Sequence, residues 1–280
     1  MRYHGYFLVL VACALLCLPA AAATADSFTI ASDTDWLVAG GTAATISVGL
    51  NGTQPGISIA KVLFSCQDET YGQVTALSDS VAPYLTTFTS TKSGTAPLQA
   101  EIWYYEAGNA SVVYTTLNQK IDHTLPYRIS SISYPFEMTV NETATIAILM
   151  QDRFGNLIEN RRELAEGRPA DIEKVRFTCS PDDAGFWNGA AFATSIADEV
   201  DASGSIDVMF KASQYIGTNT ILVEPAVAVP PRWLSIPGIG DADPVAMTVS
   251  VQPKVGNPPF SPADGQSRFF LTDILTDGFG

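Results

Sequence analysis

The sequence predicts an all-β protein made of tandem β-sandwich domains. Short segments alternate apolar and polar residues, as at Ala44, Ile46 and Val48, and this alternation is typical of a strand with one buried face. Turn-forming pairs such as Asn51-Gly52 and Ser203-Gly204 separate the segments. Many short strands at this spacing are typical of β-sandwiches. The chain also contains an internal repeat of domain length, which predicts more than one such domain.

The repeat is clearest around the cysteines. The segment Val62 to Cys66 (VLFSC) recurs as Val175 to Cys179 (VRFTC). The other matching segments are 42–48 with 142–148, Thr87-Phe88 with Met209-Phe210, and Gly94-Thr95 with Gly217-Thr218. A repeat unit of this length is a domain and not a solenoid turn, so we expect two sandwiches with corresponding strands.

The N-terminus has the form of a secretory signal peptide. Arg2 precedes an apolar run from Tyr6 to Leu18, and small residues through Ala25 complete an A-x-A-like cleavage site. The apolar run is shorter than the roughly 20 residues that a bilayer span needs. We therefore expect removal of residues 1–25 and no membrane span in the mature chain. Cys13 ends a string that resembles a lipoprotein box, which leaves lipidation as a minor alternative.

Three parts are expected after the signal peptide: a sandwich at 26–126, a second sandwich at 127–252, and the opening strand of an incomplete third repeat at 253–280. Proline and polar residues at Asp122 to Pro126 and Pro253 to Pro262 predict the linkers between these parts. Helical periodicity occurs at Leu157 to Gly167 and predicts a short insert in the second sandwich. A lone final strand cannot pair its backbone groups, so we expect it to stay partly exposed or to add to a neighbouring subunit.

Several motifs resemble bacterial immunoglobulin-like group 1 domains, the invasin and intimin type. Ala263-Asp264-Gly265 is similar to the start of that domain, and Asp152 to Asn156 (DRFGN) is similar to its Asp-x-x-Gly-Asn turn. The later elements of the family are matched at 175–177, 201–204 and 217–218. The first unit departs from the family, because Asn51 to Pro55 replaces the Asp-x-x-Gly turn. The resemblance implies spacers or adhesive arms of surface proteins, and the insert and first linker resemble variants in archaeal surface proteins.

The sequence offers little for catalysis or metal binding. His123 is the single histidine left after signal removal, and a linker would not fix it beside a nucleophile. No G-x-S-x-G, H-E-x-x-H or C-x-x-C motif occurs. We expect no catalytic residue, cofactor or metal. Six acidic residues could bind calcium weakly, or could form only a solvated surface: Asp182, Asp183, Asp198, Glu199, Asp201 and Asp207.

Charge, cysteines and sequons limit the function further. The formal charge is −14 without a basic cluster, which disfavours nucleic-acid binding. Cys66 and Cys179 are expected on corresponding strands of different domains, too far apart for a disulfide, where they would act as small apolar residues. The triplets that begin at Asn51, Asn109 and Asn141 predict N-glycosylation of an exported chain.

These observations together predict a non-catalytic structural or adhesive protein, extracellular or on the cell surface. Its expected partners are other surface proteins or glycans, with self-association through the C-terminal strand. One alternative is a secreted glycan- or ligand-binding module that uses aromatics around Trp103-Tyr104-Tyr105 or Phe186-Trp187. Because such residues alternate along strands, we expect them in the core. The other alternative is the stalk of a longer extracellular enzyme.

Overall fold

The computed structural model describes residues 24–75, 78–169, 172–240, 246–253 and 269–276. The predicted signal peptide lies outside these residues, except for its last two positions. The chain divides into two compact units, with the boundary between Thr124 and Leu125. Among the residues described, no helix has the length and apolar content to cross a membrane.

The first unit is a sandwich of two sheets. Its strands are β1 (Phe28–Ser32), β2 (Trp36–Val38), β3 (Ala44–Leu50), β4 (Ile57–Cys66), β5 (Gln73–Val74), β6 (Ser78–Asp79), β7 (Tyr84–Thr89), β8 (Gly94–Glu106) and β9 (Asn109–Asp122). One sheet has the order β1-β3-β7-β5 and the other has the order β2-β9-β8-β4-β6. Neighbouring strands are antiparallel except β2 and β9, which run parallel.

The second unit repeats this arrangement. Its elements are β10 (Pro126–Ser133), β11 (Met138–Thr139), β12 (Thr143–Asp152), α1 (Arg161–Glu166), β13 (Lys174–Ser180), β14 (Gly185–Trp187), β15 (Phe192–Ala193), β16 (Ser195–Glu199), β17 (Ser205–Lys211), β18 (Gly217–Pro225) and β19 (Arg232–Ile239). Its sheets have the orders β10-β12-β17-β14-β15 and β11-β19-β18-β13-β16. Strand by strand this is the order of the first unit, with β15 added at one edge. The prediction of tandem immunoglobulin-like sandwiches is confirmed.

The correspondence extends to single residue pairs in the core. Ala44 lies opposite Phe88 in the first unit, and Ala144 lies opposite Phe210 in the second. Both phenylalanines are fully buried. In the second unit the Phe210 ring packs against Phe186, with ring centroids 5.3 Å apart. Each unit thus buries a core of its own, as its length allows.

The predicted helical insert is confirmed as α1. The helix ends at Gly167, whose left-handed conformation (φ 65°, ψ 30°) closes the last turn through its backbone N–H. Arg162 and Glu166 form an i,i+4 ion pair at 2.9 Å on this turn.

The Asp152-to-Asn156 motif forms a tight turn whose two ends, Asp152 and Asn156, are buried. Asp152 Oδ1 accepts hydrogen bonds from the backbone N–H groups of Phe154 (2.8 Å) and Asn156 (2.9 Å). Its Oδ2 accepts a third from Asn156 Nδ2 at 2.8 Å. Gly155 has a positive φ of 88°, which explains the glycine in the motif. The carboxylate is buried because these donors replace its water.

The expectation that the last strand has no partner is wrong. β20 (Ala246–Pro253) pairs with β21 (Phe269–Thr276) in an antiparallel sheet of two strands. β21 therefore finds backbone partners within the chain. β20 lies in the range predicted for the second sandwich, yet the described strands of that sandwich end with β19. The pairing satisfies the backbone groups along one edge of each strand.

Cys66 and Cys179 lie on the corresponding strands β4 and β13, and both thiols are free as predicted. Cys66 is opposite Leu98, and Cys179 is opposite Ile221 at the equivalent place. Burial raises the pKa of the Cys179 thiol to about 11. Desolvation also raises the pKa of the half-buried Cys66. Both side chains are therefore protonated and weakly nucleophilic at neutral pH.

The core predicts a large difference between two Phe-to-Ala changes in the second unit. Phe210→Ala opens a cavity and should lower the free energy of unfolding by about 3–5 kcal/mol. Phe136→Ala, at a ring that is 87% exposed, should change it by less than about 0.5 kcal/mol. Urea unfolding followed by tryptophan fluorescence measures both, and similar losses would contradict the assignment of Phe210 to the core.

The cysteines predict slow labelling of the folded protein. At pH 8 a thiol reagent should modify Cys66 and Cys179 at least about 100-fold more slowly in the native state than in guanidinium chloride, because burial and a raised pKa suppress the thiolate. Peptide mapping of Cys66→Ser and Cys179→Ser variants assigns each rate. Rapid native labelling, or a disulfide between the two residues, would be inconsistent with the structure.

Candidate binding surface

A long hairpin distinguishes the first unit from the second. β8 and β9 have 13 and 14 residues, whereas the corresponding β18 and β19 have 9 and 8. The two-residue turn Ala107-Gly108 joins β8 to β9, and both residues have positive φ (49° and 84°). Such a turn matches the twist of the strands that it connects. β4 accompanies the hairpin to its tip, where Ile57 lies opposite Glu106.

Alternation along β8 sends neighbouring aromatic residues to opposite faces. Tyr104 points inward, is 4% exposed, and packs on Phe28 with ring centroids 5.0 Å apart. Trp103 and Tyr105 point outward and are 44% and 49% exposed. The expectation of a core position is therefore right for Tyr104 and wrong for its two neighbours.

β9 completes an exposed apolar surface beside these two rings. Val112 lies opposite Trp103 and is 39% exposed. Tyr114 is the next outward residue and is 54% exposed. We call Trp103, Tyr105, Val112 and Tyr114 the aromatic face. Backbone pairing of β8 with β9 fixes the backbone positions of the four residues, which limits the rearrangement that binding of a ligand needs.

Charged groups border the aromatic face. The Trp103 Nε1–H donates a hydrogen bond to Glu101 Oε1 at 2.7 Å. Lys61 lies opposite Trp103 on β4 and is exposed. Apolar rings beside one carboxylate and one ammonium group suit a ligand with both apolar and hydroxyl or charged surfaces.

A smaller aromatic pair lies on the second unit. Trp187 and Phe192 are opposite each other on β14 and β15, with ring centroids 5.3 Å apart, and both are about two-fifths exposed. Lys211 Nζ lies 5.6 Å from the Phe192 ring centroid. Phe186, the neighbour of Trp187, is fully buried. Here too one residue of the predicted pair is in the core and the other is on the surface.

The expectation that His123 lies in an exposed linker is wrong. β9 continues to Asp122 and β10 begins at Pro126, so only three residues connect them, and His123 is 5% exposed. Its Nδ1–H donates a hydrogen bond to the Thr124 carbonyl at 2.7 Å. Its Nε2 lies 3.8 Å from Asp122 Oδ1. These contacts hold the imidazole at the end of the first unit.

Acidic residues of the second unit serve its turns. Asp201 Oδ1 accepts hydrogen bonds from Ser203 N–H (2.8 Å), Ser203 Oγ (2.7 Å) and Ser205 N–H (2.9 Å). The bond from the Ser203 hydroxyl is the main cause of the lowered pKa of Asp201. Burial alone would raise the pKa of Asp183, but hydrogen bonds from Ser213 and Gln214 outweigh it and lower that pKa. Within the described ranges, no group of three or more His, Cys, Asp or Glu side chains is placed to hold a metal ion.

The three glycosylation candidates differ in their surroundings. Asn109 is exposed at the tip of the long hairpin. Asn51 is also exposed, and its Nδ2 donates a hydrogen bond to the Asp26 carbonyl at 3.1 Å. Asn141 is half-buried and has a positive φ of 63°. Modification of these residues stays a prediction.

No protein-family model and no curated protein matches this chain. Among solved structures, the D0-D1 domain of intimin is 15% identical and covers 74% of this chain and 97% of its own, with a TM-score of 0.26. Domains 1-6 of the surface layer protein SbsC are 13% identical over 88% of this chain, with a TM-score of 0.32. A beta-glucuronidase from glycoside hydrolase family 2 is 17% identical over 77% of this chain, with a TM-score of 0.30.

This chain spans 36% of the SbsC structure and 20% of the beta-glucuronidase. Intimin is the type of protein that the sequence motifs resemble. Because each TM-score is below 0.5, the immunoglobulin-like assignment rests on the strand order of this chain. The similarity to archaeal surface proteins receives no support from these structures.

Burial of His123 predicts that its removal destabilises the first unit. His123→Ala should lower the free energy of unfolding by about 1–3 kcal/mol, because the Thr124 carbonyl loses its donor and a small cavity forms. His123→Asn retains a side-chain donor and should lose less. Thermal unfolding of the three proteins gives the comparison, and an unchanged midpoint for the alanine variant would contradict the buried position.

Proposed function

We propose that the protein is a non-catalytic structural and adhesive protein, extracellular or on the cell surface, in which immunoglobulin-like units carry the aromatic face toward a partner. The exposure of Trp103, Tyr105 and Tyr114 on one regular sheet surface carries this proposal. Large aromatic side chains lose little conformational entropy on binding and contribute disproportionately to interfaces. Their position on paired strands supplies the preorganisation that an adhesive surface needs.

Other features of the molecule support the structural part of the proposal. Two units repeat one sandwich, and each has its own core. The Asp152 and Asp201 carboxylates are engaged in turns and give rigidity to loops. The signal peptide pattern and the excess of acidic residues suit an exported, soluble protein. Other cell-surface proteins and glycans are the proposed partners.

Glycan binding is the second candidate function, and the surroundings of Trp103 favour it. An exposed indole can stack on the apolar face of a sugar ring. Glu101 and Lys61, which flank the indole, can bind sugar hydroxyls through charge-assisted hydrogen bonds. A polysaccharide would in that case be the partner to which the surface protein adheres.

Removal of aromatic side chains tests the adhesive role. The double variant Trp103→Ala with Tyr114→Ala should weaken binding to isolated cell envelopes and to a polysaccharide panel by at least about tenfold, as expected for loss of two aromatic contacts. Thermal stability should change little, because both side chains are about half exposed.

A matched double variant on the second unit is the control. Trp233→Ala with Tyr215→Ala removes side chains that are 67% and 58% exposed and lie outside the aromatic face. Binding should stay within about threefold of the unmodified protein for this control. Equal binding by both double variants and the unmodified protein would refute the adhesive role, and loss on polysaccharides alone would assign the face to glycans.

A further inference from the structure

Polar side chains are buried where α1 joins the second unit. Asn160 directly precedes α1 and is 6% exposed, and it has the same parity along the chain as the fully buried Ile158. Glu173 directly precedes β13 and is 1% exposed, in step with the fully buried Val175. Within α1 the buried residue is Glu163. Alternation therefore directs Asn160 and Glu173 toward the interior of the unit, and the helix adds a second buried carboxyl group.

Backbone hydrogen bonds bring these three residues to one place. The Val200 N–H donates to the Glu173 carbonyl at 3.2 Å, and the Asn160 N–H donates to the Asp201 carbonyl at 3.3 Å. Because Val200 and Asp201 are neighbours in the chain, Glu173 and Asn160 flank the same short segment. Glu163 follows Asn160 by three residues, a spacing that puts two side chains on the same side of a helical turn. We call Asn160, Glu163 and Glu173 the buried polar cluster.

Two oxygen atoms of this cluster need a partner. Asn160 Oδ1 and Glu163 Oε2 are shielded from solvent and accept no hydrogen bond from the described part of the chain. An asparagine at the start of a helix usually accepts a hydrogen bond from the first turn, yet the Asn160 side chain makes no such bond. A buried acceptor without a donor destabilises the fold, and more strongly when it is charged. The cluster therefore favours a ligand that interacts with oxygen atoms.

The charge of the cluster indicates the kind of ligand. Glu163 and Glu173 are two buried carboxyl groups. Arg168 Nη2 lies 3.5 Å from Glu163 Oε1, but the Arg168 side chain is half exposed and its Nε lies only 2.6 Å from Glu166 Oε2. One guanidinium group is thus shared between a buried and an exposed carboxylate, and it pairs only with the outer oxygen of Glu163. A positive charge on the inner side would stabilise Glu163.

We propose that the buried polar cluster is a calcium site of the second unit, with Asn160 Oδ1 and Glu163 Oε2 as ligands and Glu173 as the second carboxylate. Calcium takes about six to eight oxygen ligands from carboxylates, amide and backbone carbonyls and water, in flexible geometry. The side chains of the cluster offer only oxygen as a ligand, which disfavours zinc. Because the site combines two carboxylates with one amide, it is not a cluster of three acidic residues. It also differs from the six surface carboxylates considered in the sequence.

A calcium ion satisfies the cluster better than the two other possibilities. A buried water molecule could donate to both free oxygen atoms, but it brings no charge to a buried carboxylate. Protonation of Glu163 would supply one donor, but it would remove the charge that pairs with Arg168. A cation binds the oxygen atoms and neutralises the carboxylate at once.

Calcium at this place would fix α1 to the sandwich. A helix of six residues is too short to be stable alone, so its position depends on contacts with the rest of the unit. A shared ion would connect Glu163 of the helix to Asn160 and to Glu173 at the start of β13. Weak calcium sites are typical of extracellular modules, which meet high calcium concentrations. The site does not depend on the aromatic face.

Isothermal titration calorimetry of the purified, EDTA-treated protein with calcium chloride tests the site. One ion should bind per chain with a dissociation constant of about 0.1–1 mM or lower. Glu163→Gln and Asn160→Ala should each weaken binding by at least about tenfold, because each removes a ligand. Glu166→Gln is the control, since it removes an exposed carboxylate of the same helix that also contacts Arg168. It should leave the affinity within about threefold.

Thermal unfolding separates a ligand from a residue that only supports the fold. About 10 mM calcium should raise the unfolding midpoint of the unmodified protein by at least about 3 °C relative to sodium chloride of equal ionic strength. In EDTA, Glu163→Gln should unfold at the same temperature as the unmodified protein or higher, because it removes a buried charge. With calcium it should unfold at a lower temperature than the unmodified protein.

Three results would overturn the proposal. The first is an unmodified protein whose midpoint does not respond to calcium. The second is calcium binding that Glu163→Gln and Asn160→Ala leave unchanged, since this would place the ion elsewhere on an acidic surface. The third is a Glu163→Gln midpoint that is lowered equally with and without calcium, since Glu163 would then serve the fold alone.

Discussion

A strand in a sandwich can turn only every second side chain toward the core, and the molecule depends on this constraint throughout. It places Phe88 and Phe210 opposite Ala44 and Ala144 in the two cores. On β8 the same alternation buries Tyr104 and exposes the residues on either side. On β9 the same alternation exposes the side chains of Val112 and Tyr114. The two cores and the aromatic face are results of one periodicity.

The fold could be predicted because its evidence is local. Alternation, turn pairs and the repeat around Cys66 and Cys179 all lie within short segments, and the insert was recognisable from its helical period. The aromatic face could be anticipated only in part. The sequence Trp103-Tyr104-Tyr105 does not show which of the three residues faces the core. Packing of Tyr104 against Phe28, on a strand distant in sequence, decides it. Burial of His123 depends on where β9 and β10 end, and pairing of β21 with β20 depends on tertiary structure.

Acidic residues contribute to shape more than to chemistry. Asp152, Asp183 and Asp201 each accept hydrogen bonds from nearby backbone and side-chain donors in turns. Their carboxylates hold loops between strands. The long hairpin is a part of the first unit that the second unit does not match in length. That hairpin is therefore where a specific function of the first unit is expected.

Hydrogen exchange of individual β9 amides, measured by nuclear magnetic resonance, tests the alternation most directly. The hairpin closes at the pair Glu106 and Asn109, so even-numbered residues of β9 direct their N–H groups away from β8. The N–H groups of Val112, Tyr114 and Thr116 should therefore exchange rapidly. Those of Ser111, Val113 and Thr115 should be protected by hydrogen bonds to β8. Equal exchange of both sets, or protection of the even-numbered amides alone, would contradict the alternation along β9 and the faces assigned to its residues.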